Sequence, residues 1–133
     1  MFWNEAMETI PAEELEALQF RRLKWTLRQV QEVGFYRNRL QDAGVRPDDI
    51  RSLEDIQKLP FTYKKDLQAG YPFGFLAVPK REVVRIHTTS GTTGKPTVVC
   101  YTRQDLENWA ELIARNMVMI GLTSDDVFQN AVN

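Results

Sequence analysis

The sequence predicts an α/β protein in which a helix-rich N-terminal segment, residues 1–80, precedes an α/β segment, residues 81–133. Two observations support this prediction. Apolar residues recur at three- and four-residue steps in residues 11–33 and again in residues 102–121, as they do on one face of a helix. Between these stretches, residues 83–87 and 97–101 are rich in β-branched side chains and enclose a Ser/Thr/Gly loop, a pattern typical of two strands joined by a turn.

The longest helix of the first segment is predicted from Pro11 to about Val33. Proline suits the first helical position, and Gly34 is the predicted C-terminal cap. Its apolar stripe consists of Phe20, Leu23, Leu27 and Val30. Trp25 lies off the stripe, which predicts that this helix is covered on more than one side. The charged run Arg21, Arg22 and Lys24 is predicted to be a solvated helix face.

Short helices and turns are predicted between residues 35 and 80. They cover residues 35–42, ending at Gly44, residues 53–59 after a Ser52 cap, and residues 62–67 after a Thr62 cap. An irregular aromatic stretch follows, with Tyr71, Phe73 and Phe75 separated by proline and glycine. These rings could line the pocket of an aromatic acid, but packing under the loop is the favoured interpretation.

The second segment is predicted to run strand, loop, strand and helix. The strands are Val83–His87 and Thr97–Tyr101, and the helix begins after a Thr102 cap, with Asp105 in a capping box, and ends at Gly121. Its stripe of Leu106, Trp109, Ile113, Met117 and Ile120 is predicted to face the core. Residues 126–133 resemble a strand entering a turn. Because no helix or polar tail follows this strand, the sequence is expected to stop in mid-fold.

Composition excludes several classes of function. Seventeen basic and eighteen acidic residues give a formal net charge of -1, which argues against a nucleic-acid or membrane partner. Cys100 is the single cysteine and His87 the single histidine, so neither a disulfide nor a Cys/His-rich metal site is expected. His87 is predicted to be a strand residue with a local hydrogen-bond partner rather than a catalytic base. A cytoplasmic protein is expected, because no secretory signal is recognisable in residues 1–30.

The loop of residues 88–96 carries the strongest chemical signal. Gly91 and Gly94 allow the backbone to approach a polyanion closely, five hydroxyl groups can donate hydrogen bonds, and Lys95 adds one positive charge. A Walker A loop is excluded, since only two residues separate the glycines and Pro96 follows the lysine before a strand. The residues alone leave two interpretations equally open, a phosphate-binding loop and an ordinary polar hairpin loop.

The run Ser90-Gly91-Thr92-Thr93-Gly94-Lys95-Pro96 resembles the signature loop of the adenylate-forming superfamily, which includes acyl-CoA synthetases and luciferases. The resemblance is strongest to the phenylacetate–CoA ligase branch and extends over nearly the whole chain. It includes residues 35–37, 43–45, 59–62, 71–74, 85–87, 97–99, 101–102 and 108–109. Thr97 after the proline, where most of the superfamily has lysine, supports that branch. Cys100 replaces a more common glycine, and no function is assigned to it.

This resemblance implies the first strands and helix of the N-terminal domain of an adenylate-forming enzyme, incomplete here. It implies a two-step reaction in which an aryl acid attacks ATP to form an acyl-adenylate, and CoA then displaces AMP. Ser90, Gly91, Thr92, Thr93, Gly94 and Lys95 would hold the ATP phosphates, with Mg²⁺ accompanying ATP. No catalytic residue of the family maps onto these 133 residues, so the chain alone is expected to be inactive.

Three further interpretations are left open. The chain could be a stand-alone, truncated paralogue that binds phosphate or a partner without catalysis. The enzyme could instead activate a different acid, such as a cofactor or a polysaccharide-linked acid. A homodimer is also compatible with the sequence.

Overall fold

The computed structural model describes residues 1–90, 95–129 and 131. The helices are α1 (Glu5–Glu8), α2 (Ala12–Val30), α3 (Gly34–Asp42), α4 (Lys64–Ala69) and α5 (Arg103–Met119), and 3-10 turns cover Pro47–Asp49, Glu54–Lys58 and Lys80–Glu82. Two strands, β1 (Arg85–Thr88) and β2 (Val98–Tyr101), form an antiparallel pair. This mixture of helices and a small sheet confirms the predicted architecture.

The chain forms two compact units. One comprises residues 11–103, and the other comprises residues 1–10 together with residues 104–133. The boundary expected from composition, at residue 80, stays a prediction.

The core of the 11–103 unit lies where α2 and α3 meet the turn at residues 47–50. Its buried apolar side chains are Leu27, Val33, Leu40 and Ile50, and Ile50 is fully buried. Leu27 belongs to the predicted stripe of α2, which shows that the three- and four-residue periodicity identified the correct face. Trp25, however, is 63% exposed, so the prediction that this helix is covered on more than one side is wrong.

Lys24 also departs from the prediction of a solvated charged face. Its ammonium group donates hydrogen bonds to the backbone carbonyls of Pro47 (2.9 Å) and Ile50 (3.3 Å) and lies 3.5 Å from the Asp48 carboxylate. Only 22% of its side chain is exposed, whereas Arg21 and Arg22 are exposed as predicted. Lys24 therefore ties α2 to the turn that delivers the buried Ile50.

Helix ends differ from the predictions where carboxylates or backbone geometry replace the expected caps. Gly34 does not cap α2, because it is the first residue of α3 and its φ is not positive. α2 ends earlier, at Val30. Asp55 accepts hydrogen bonds from the backbone of Arg51 and Ser52, and Asp66 accepts one from the backbone N–H of Tyr63. The capping roles predicted for Ser52 and Thr62 are thus taken by aspartates within the turns.

In the other unit, α5 begins directly after Thr102, and Gly121, at φ 94°, lies just past its end as predicted. Residues 1–10 contact α5 through Glu111, whose carboxylate accepts hydrogen bonds from Trp3 Nε1 (2.6 Å) and Asn4 Nδ2 (3.0 Å) and pairs with Arg115 (2.9 Å). The hydrogen bonds from Asn4, Trp3 and Arg115 lower the pKa of Glu111 to about 2.

Two predictions about this unit are wrong. The stripe of α5 is not buried as a whole: Trp109, Ile113 and Ile120 are exposed, whereas Leu106 and Met117 are half-buried. Residues 126–129 do not form a strand: the Asp126 carboxylate accepts hydrogen bonds from the backbone N–H and the hydroxyl of Thr123, which closes a turn. A strand needs a neighbouring strand for its backbone groups, and none pairs with residues 126–129 in the described part of the chain.

Candidate functional site

The candidate site lies on the β1–β2 hairpin. β-branched and aromatic side chains favour the extended backbone of both strands, and the register pairs Arg85 with Tyr101 and Thr88 with Val98. Every residue of β1 is exposed, whereas Val98, Cys100 and Tyr101 of β2 are half-buried. The hairpin therefore places Thr89 and Thr97 next to the last pair of a short ladder.

The base of this loop is closed by two threonines. The backbone N–H of Thr89 donates to the carbonyl of Thr97 (3.1 Å), and the backbone N–H of Thr97 donates back to the Thr89 hydroxyl oxygen (3.0 Å). The side chain of Thr89 thus substitutes for a backbone acceptor and extends the ladder by one step. A hydroxyl that accepts a hydrogen bond can also donate one, so the Thr89 hydroxyl is a candidate donor to a ligand.

Ser90 and Lys95 flank the predicted phosphate-binding run, and both are exposed. Gly91, Thr92, Thr93 and Gly94 lie outside the described residues, so the four central members of the predicted site stay a prediction. The hydroxyl of Ser90 and the ammonium group of Lys95 are hydrogen-bond donors of the kind a polyanion requires. These described residues fit a nucleotide phosphate chain in their chemistry.

Gln68 on α4 is a residue that the sequence analysis missed. Its side-chain amide donates a hydrogen bond to the backbone carbonyl of Lys95 (3.3 Å), 27 residues further along the chain. This contact ties the C-terminal end of the loop to α4. No motif marks a glutamine for this role, so only the tertiary structure reveals it.

An aromatic cluster made of Phe35, Tyr36 and Phe75 lies beside the C-terminal end of α4. The Phe75 ring lies 4.9 Å from the Phe35 ring and 5.5 Å from the Tyr36 ring, centroid to centroid. Gly70, directly after α4, lies against Phe75: a Cβ atom there would come within 2.5 Å of Phe75 Cδ2. The favoured interpretation of Phe75, packing under an irregular loop, agrees with these contacts.

A charged pair supports the same junction from the other side. Arg39 on α3 donates to the Asp66 carboxylate on α4 at 2.9 Å, and its guanidinium group lies 5.2 Å from the centroid of the Phe35 ring. Because Asp66 is only 13% exposed, this pair is better shielded from solvent than an ordinary surface ion pair. This ion pair links α3 to α4, the helix that carries Gln68.

Of the other aromatic residues in this stretch, Tyr71 and Phe73 are both exposed. The Lys80 ammonium group lies 4.7 Å from the centroid of the Phe73 ring, a cation–π geometry. The described residues 71–75 thus split between one packed ring and two exposed ones.

His87 lies on β1 with its ring 5.0 Å from that of Tyr101, in an edge-to-face arrangement. Its place on a strand agrees with the prediction, whereas the predicted local hydrogen-bond partner stays a prediction. In the described part of the chain, no three His, Cys, Asp or Glu side chains come together as a protein metal site requires. The same residues contain no helix that is long and apolar enough to cross a membrane.

Comparison with known proteins places this hairpin in a family. The chain is 51% identical over 123 residues to the phenylacetate-coenzyme A ligase of Escherichia coli K12, and 49% identical over 132 residues to that of Thermus thermophilus. These matches cover 92% and 98% of the chain. The chain belongs to the phenylacetate–CoA ligase family. No family model matches it.

Solved structures agree with this assignment. The crystal structure of a 2-hydroxyisobutyryl-CoA ligase in the postadenylation state, in complex with 2-HIB-AMP, superposes with a TM-score of 0.83 and 32% identity over 94% of the chain. A structure of the same ligase with 2-HIB-AMP and CoA, in the thioesterification state, has a TM-score of 0.78 and 36% identity over 87% of the chain. The described fold therefore corresponds to the N-terminal region of an acyl-CoA ligase.

The chain spans only 28% and 30% of the length of the two phenylacetate–CoA ligases, and 27% of the first solved structure. The family and the fold follow from the matched region.

Proposed function

We propose that this chain forms the phosphate-binding part of an AMP-forming phenylacetate–CoA ligase, with residues 90–95 holding the phosphates of ATP. One observation carries the proposal. More than nine-tenths of the chain is about 50% identical in sequence to two phenylacetate–CoA ligases from different organisms. The run that resembles the superfamily signature falls between β1 and β2 in the sequence and within this matched region.

The chemistry of the loop suits acyl-adenylate formation. When a carboxylate attacks the α-phosphate, negative charge develops on the departing pyrophosphate. Hydroxyl, amide and ammonium donors that are already in place stabilise that charge without being consumed. Lys95 supplies the positive charge, Ser90 and the hydroxyl proton of Thr89 supply donors, and Gln68 holds the carbonyl of Lys95. The loop positions phosphates and supplies no nucleophile.

ATP and CoA are the proposed co-substrates, and Mg²⁺ would enter bound to ATP, held through the phosphates. An aryl acid is the proposed acyl donor, because the two relatives are phenylacetate-coenzyme A ligases. A ligase that uses ATP and CoA belongs in the cytoplasm, where both are available. The 133 residues by themselves would bind phosphates but would not form a thioester, since they correspond to less than a third of the length of these ligases.

Acid-dependent exchange of radiolabelled pyrophosphate into ATP tests the proposal. We define the joined ligase as this chain followed by the residues that come after the matched segment in the E. coli relative. With phenylacetate it should catalyse exchange, and Lys95→Ala should slow that exchange roughly 100-fold, the usual cost of one transition-state donor. Lys64→Ala, an exposed lysine at the start of α4, is the matched control and should leave the rate unchanged.

A folded joined ligase that shows no acid-dependent exchange, under conditions where the E. coli relative is active, would refute the ligase assignment. If the chain alone binds ATP under those conditions, the non-enzymatic phosphate-binding module becomes the better account. Exchange with another acid and not with phenylacetate would keep the reaction and change the substrate.

A further inference from the structure

The peptide unit between Lys95 and Pro96 can be held by a hydrogen bond at one atom only. Proline has no backbone N–H, so the Lys95 carbonyl oxygen is the single hydrogen-bonding group of this unit. Gln68 on α4 donates its side-chain amide to that oxygen at 3.3 Å. Because the carbonyl carbon is bonded to the Lys95 Cα, the orientation of this peptide unit decides how the Lys95 side chain leaves the backbone.

The hydrogen bonds at the base of the loop do not reach Lys95. The Thr89–Thr97 pair, at 3.1 and 3.0 Å, closes the hairpin two residues beyond it. A residue before proline is confined to extended backbone but keeps a range of φ and ψ within that region. Lys95 is also exposed, so little packing limits it. The contact with Gln68 therefore narrows a range of backbone conformations that the proline and the ladder leave open.

Gln68 reaches the loop from a helix that is anchored on its other side. Asp66 of α4 pairs with Arg39 of α3 at 2.9 Å. Residues two apart on an α-helix point about 200° apart, so Asp66 and Gln68 face nearly opposite directions. Both contacts lie within the compact unit of residues 11–103. α4 is thus linked to α3 through one side and to the backbone of Lys95 through the other.

We propose that Gln68 is a positioning residue of the phosphate loop, which holds the Lys95 backbone so that the Lys95 ammonium group meets the phosphates of a nucleotide. Gln68 acts through Lys95, because its amide contacts a backbone carbonyl. The inference rests on the proposed function for the ligand of Lys95. A donor that is in place before the reaction stabilises developing charge without further ordering, so the loss of Gln68 should slow the chemical step.

Pyrophosphate exchange by the joined ligase measures this role. Gln68→Met removes the amide and keeps a long, unbranched side chain of similar helix preference. It should lower kcat about fivefold, the equivalent of one net hydrogen bond. The KM for phenylacetate should not change, because the loop is proposed to contact phosphates and not the acid. Gln57→Met, at an exposed glutamine of the turn Glu54–Lys58, is the matched control and should change neither constant.

A double-mutant cycle separates positioning from a general structural effect. If Gln68 acts through the ammonium group of Lys95, Gln68→Met should cost nothing further once Lys95→Ala has removed that group. The backbone carbonyl of residue 95 remains in Lys95→Ala, so a structural effect of Gln68→Met would still multiply the loss. The thermal midpoint of Gln68→Met should stay within about 2 °C of wild type, since the contact is exposed.

An unchanged kcat for Gln68→Met, in a joined ligase whose exchange depends on Lys95, would overturn the inference and leave the proposed function intact. So would a loss that persists undiminished in the Lys95→Ala background.

If the folded joined ligase shows no exchange, calorimetric titration with ATP and Mg²⁺ decides between the two ideas. A Kd that Gln68→Met weakens in the presence of Lys95, and not in Lys95→Ala, would support the positioning role while the ligase reaction is refuted. Equal Kd values for Gln68→Met and wild type would overturn the positioning role, and a joined ligase that binds no ATP would refute both.

Discussion

Gly70 provides a quantitative test of how α4, and with it Gln68, is positioned beside the loop. Its φ of -80° is accessible to any residue, so the requirement for glycine is steric and not conformational. A Cβ atom on Gly70 would lie 2.5 Å from Phe75 Cδ2, whereas ordinary contacts begin near 3.4 Å. The Phe75 ring would therefore have to move by about 1 Å against Phe35 and Tyr36.

The expected cost of Gly70→Ala follows from these distances. Forcing an extra methyl group into a packed contact costs about 1–3 kcal/mol, and the reduced entropy of the unfolded chain returns about 0.4–1 kcal/mol. At the centres of these two ranges the net loss is about 1.3 kcal/mol. For a chain of 133 residues the unfolding entropy is about 0.3 kcal/mol per degree, so the thermal midpoint should fall by about 5 °C.

Thermal unfolding followed by circular dichroism measures this shift, and a second glycine gives a control of opposite sign. Gly34 is the first residue of α3, and a Cβ atom there would meet nothing closer than 3.8 Å. Gly34→Ala should therefore raise the midpoint, since alanine favours a helix over glycine by about 0.5–1 kcal/mol. A smaller side chain at the clash, Phe75→Leu, should reduce the additional cost of Gly70→Ala in a double-mutant cycle.

An unchanged or raised midpoint for Gly70→Ala would show that the aromatic cluster does not press on α4. A cost that Phe75→Leu leaves untouched would show that the loss has another origin than this contact.

Two further predictions concern contacts that hold each unit together. The hydrogen bonds to Glu111 lower its pKa from an ordinary 4.5 to about 2, so they stabilise the fold fully above pH 4.5 and this contribution is lost as the pH falls towards 2. The NMR resonance of the Trp3 indole N–H should therefore stay constant down to about pH 4 and shift below it. Glu111→Gln should abolish that titration. A shift centred near pH 4.5 in the wild type would contradict the lowered pKa of Glu111. Lys24→Met keeps the aliphatic stem but removes the hydrogen bonds to the carbonyls of Pro47 and Ile50, which should lower the free energy of unfolding in urea by about 1 kcal/mol, whereas Arg21→Met should change it little. Equal effects at the two positions would mean that Lys24 acts only as a surface charge.

Local periodicity predicted most of the elements correctly. The period of three and four residues located α2 and α5, and the β-branched runs located β1 and β2 to within two residues, because these patterns reflect the backbone geometry of single elements. Helix ends were predicted less well. Asp55 and Asp66 cap turns in which the sequence offers several polar candidates, and only the folded backbone decides which side chain reaches the free N–H groups.

The sequence by itself determined the family, the strand–loop–strand arrangement and the residue types of the proposed phosphate loop, since these depend on local spacing and on matched motifs. Only the tertiary structure decided which side chains from distant parts of the sequence contact these elements. Gln68 meets Lys95 across 27 residues, and Lys24 reaches the turn at residues 47–50. It also decided that Trp109, Ile113 and Ile120 of the α5 stripe are exposed. A hydrophobic stripe shows that a helix needs a partner, but the burial of that stripe depends on atoms supplied from elsewhere in three dimensions.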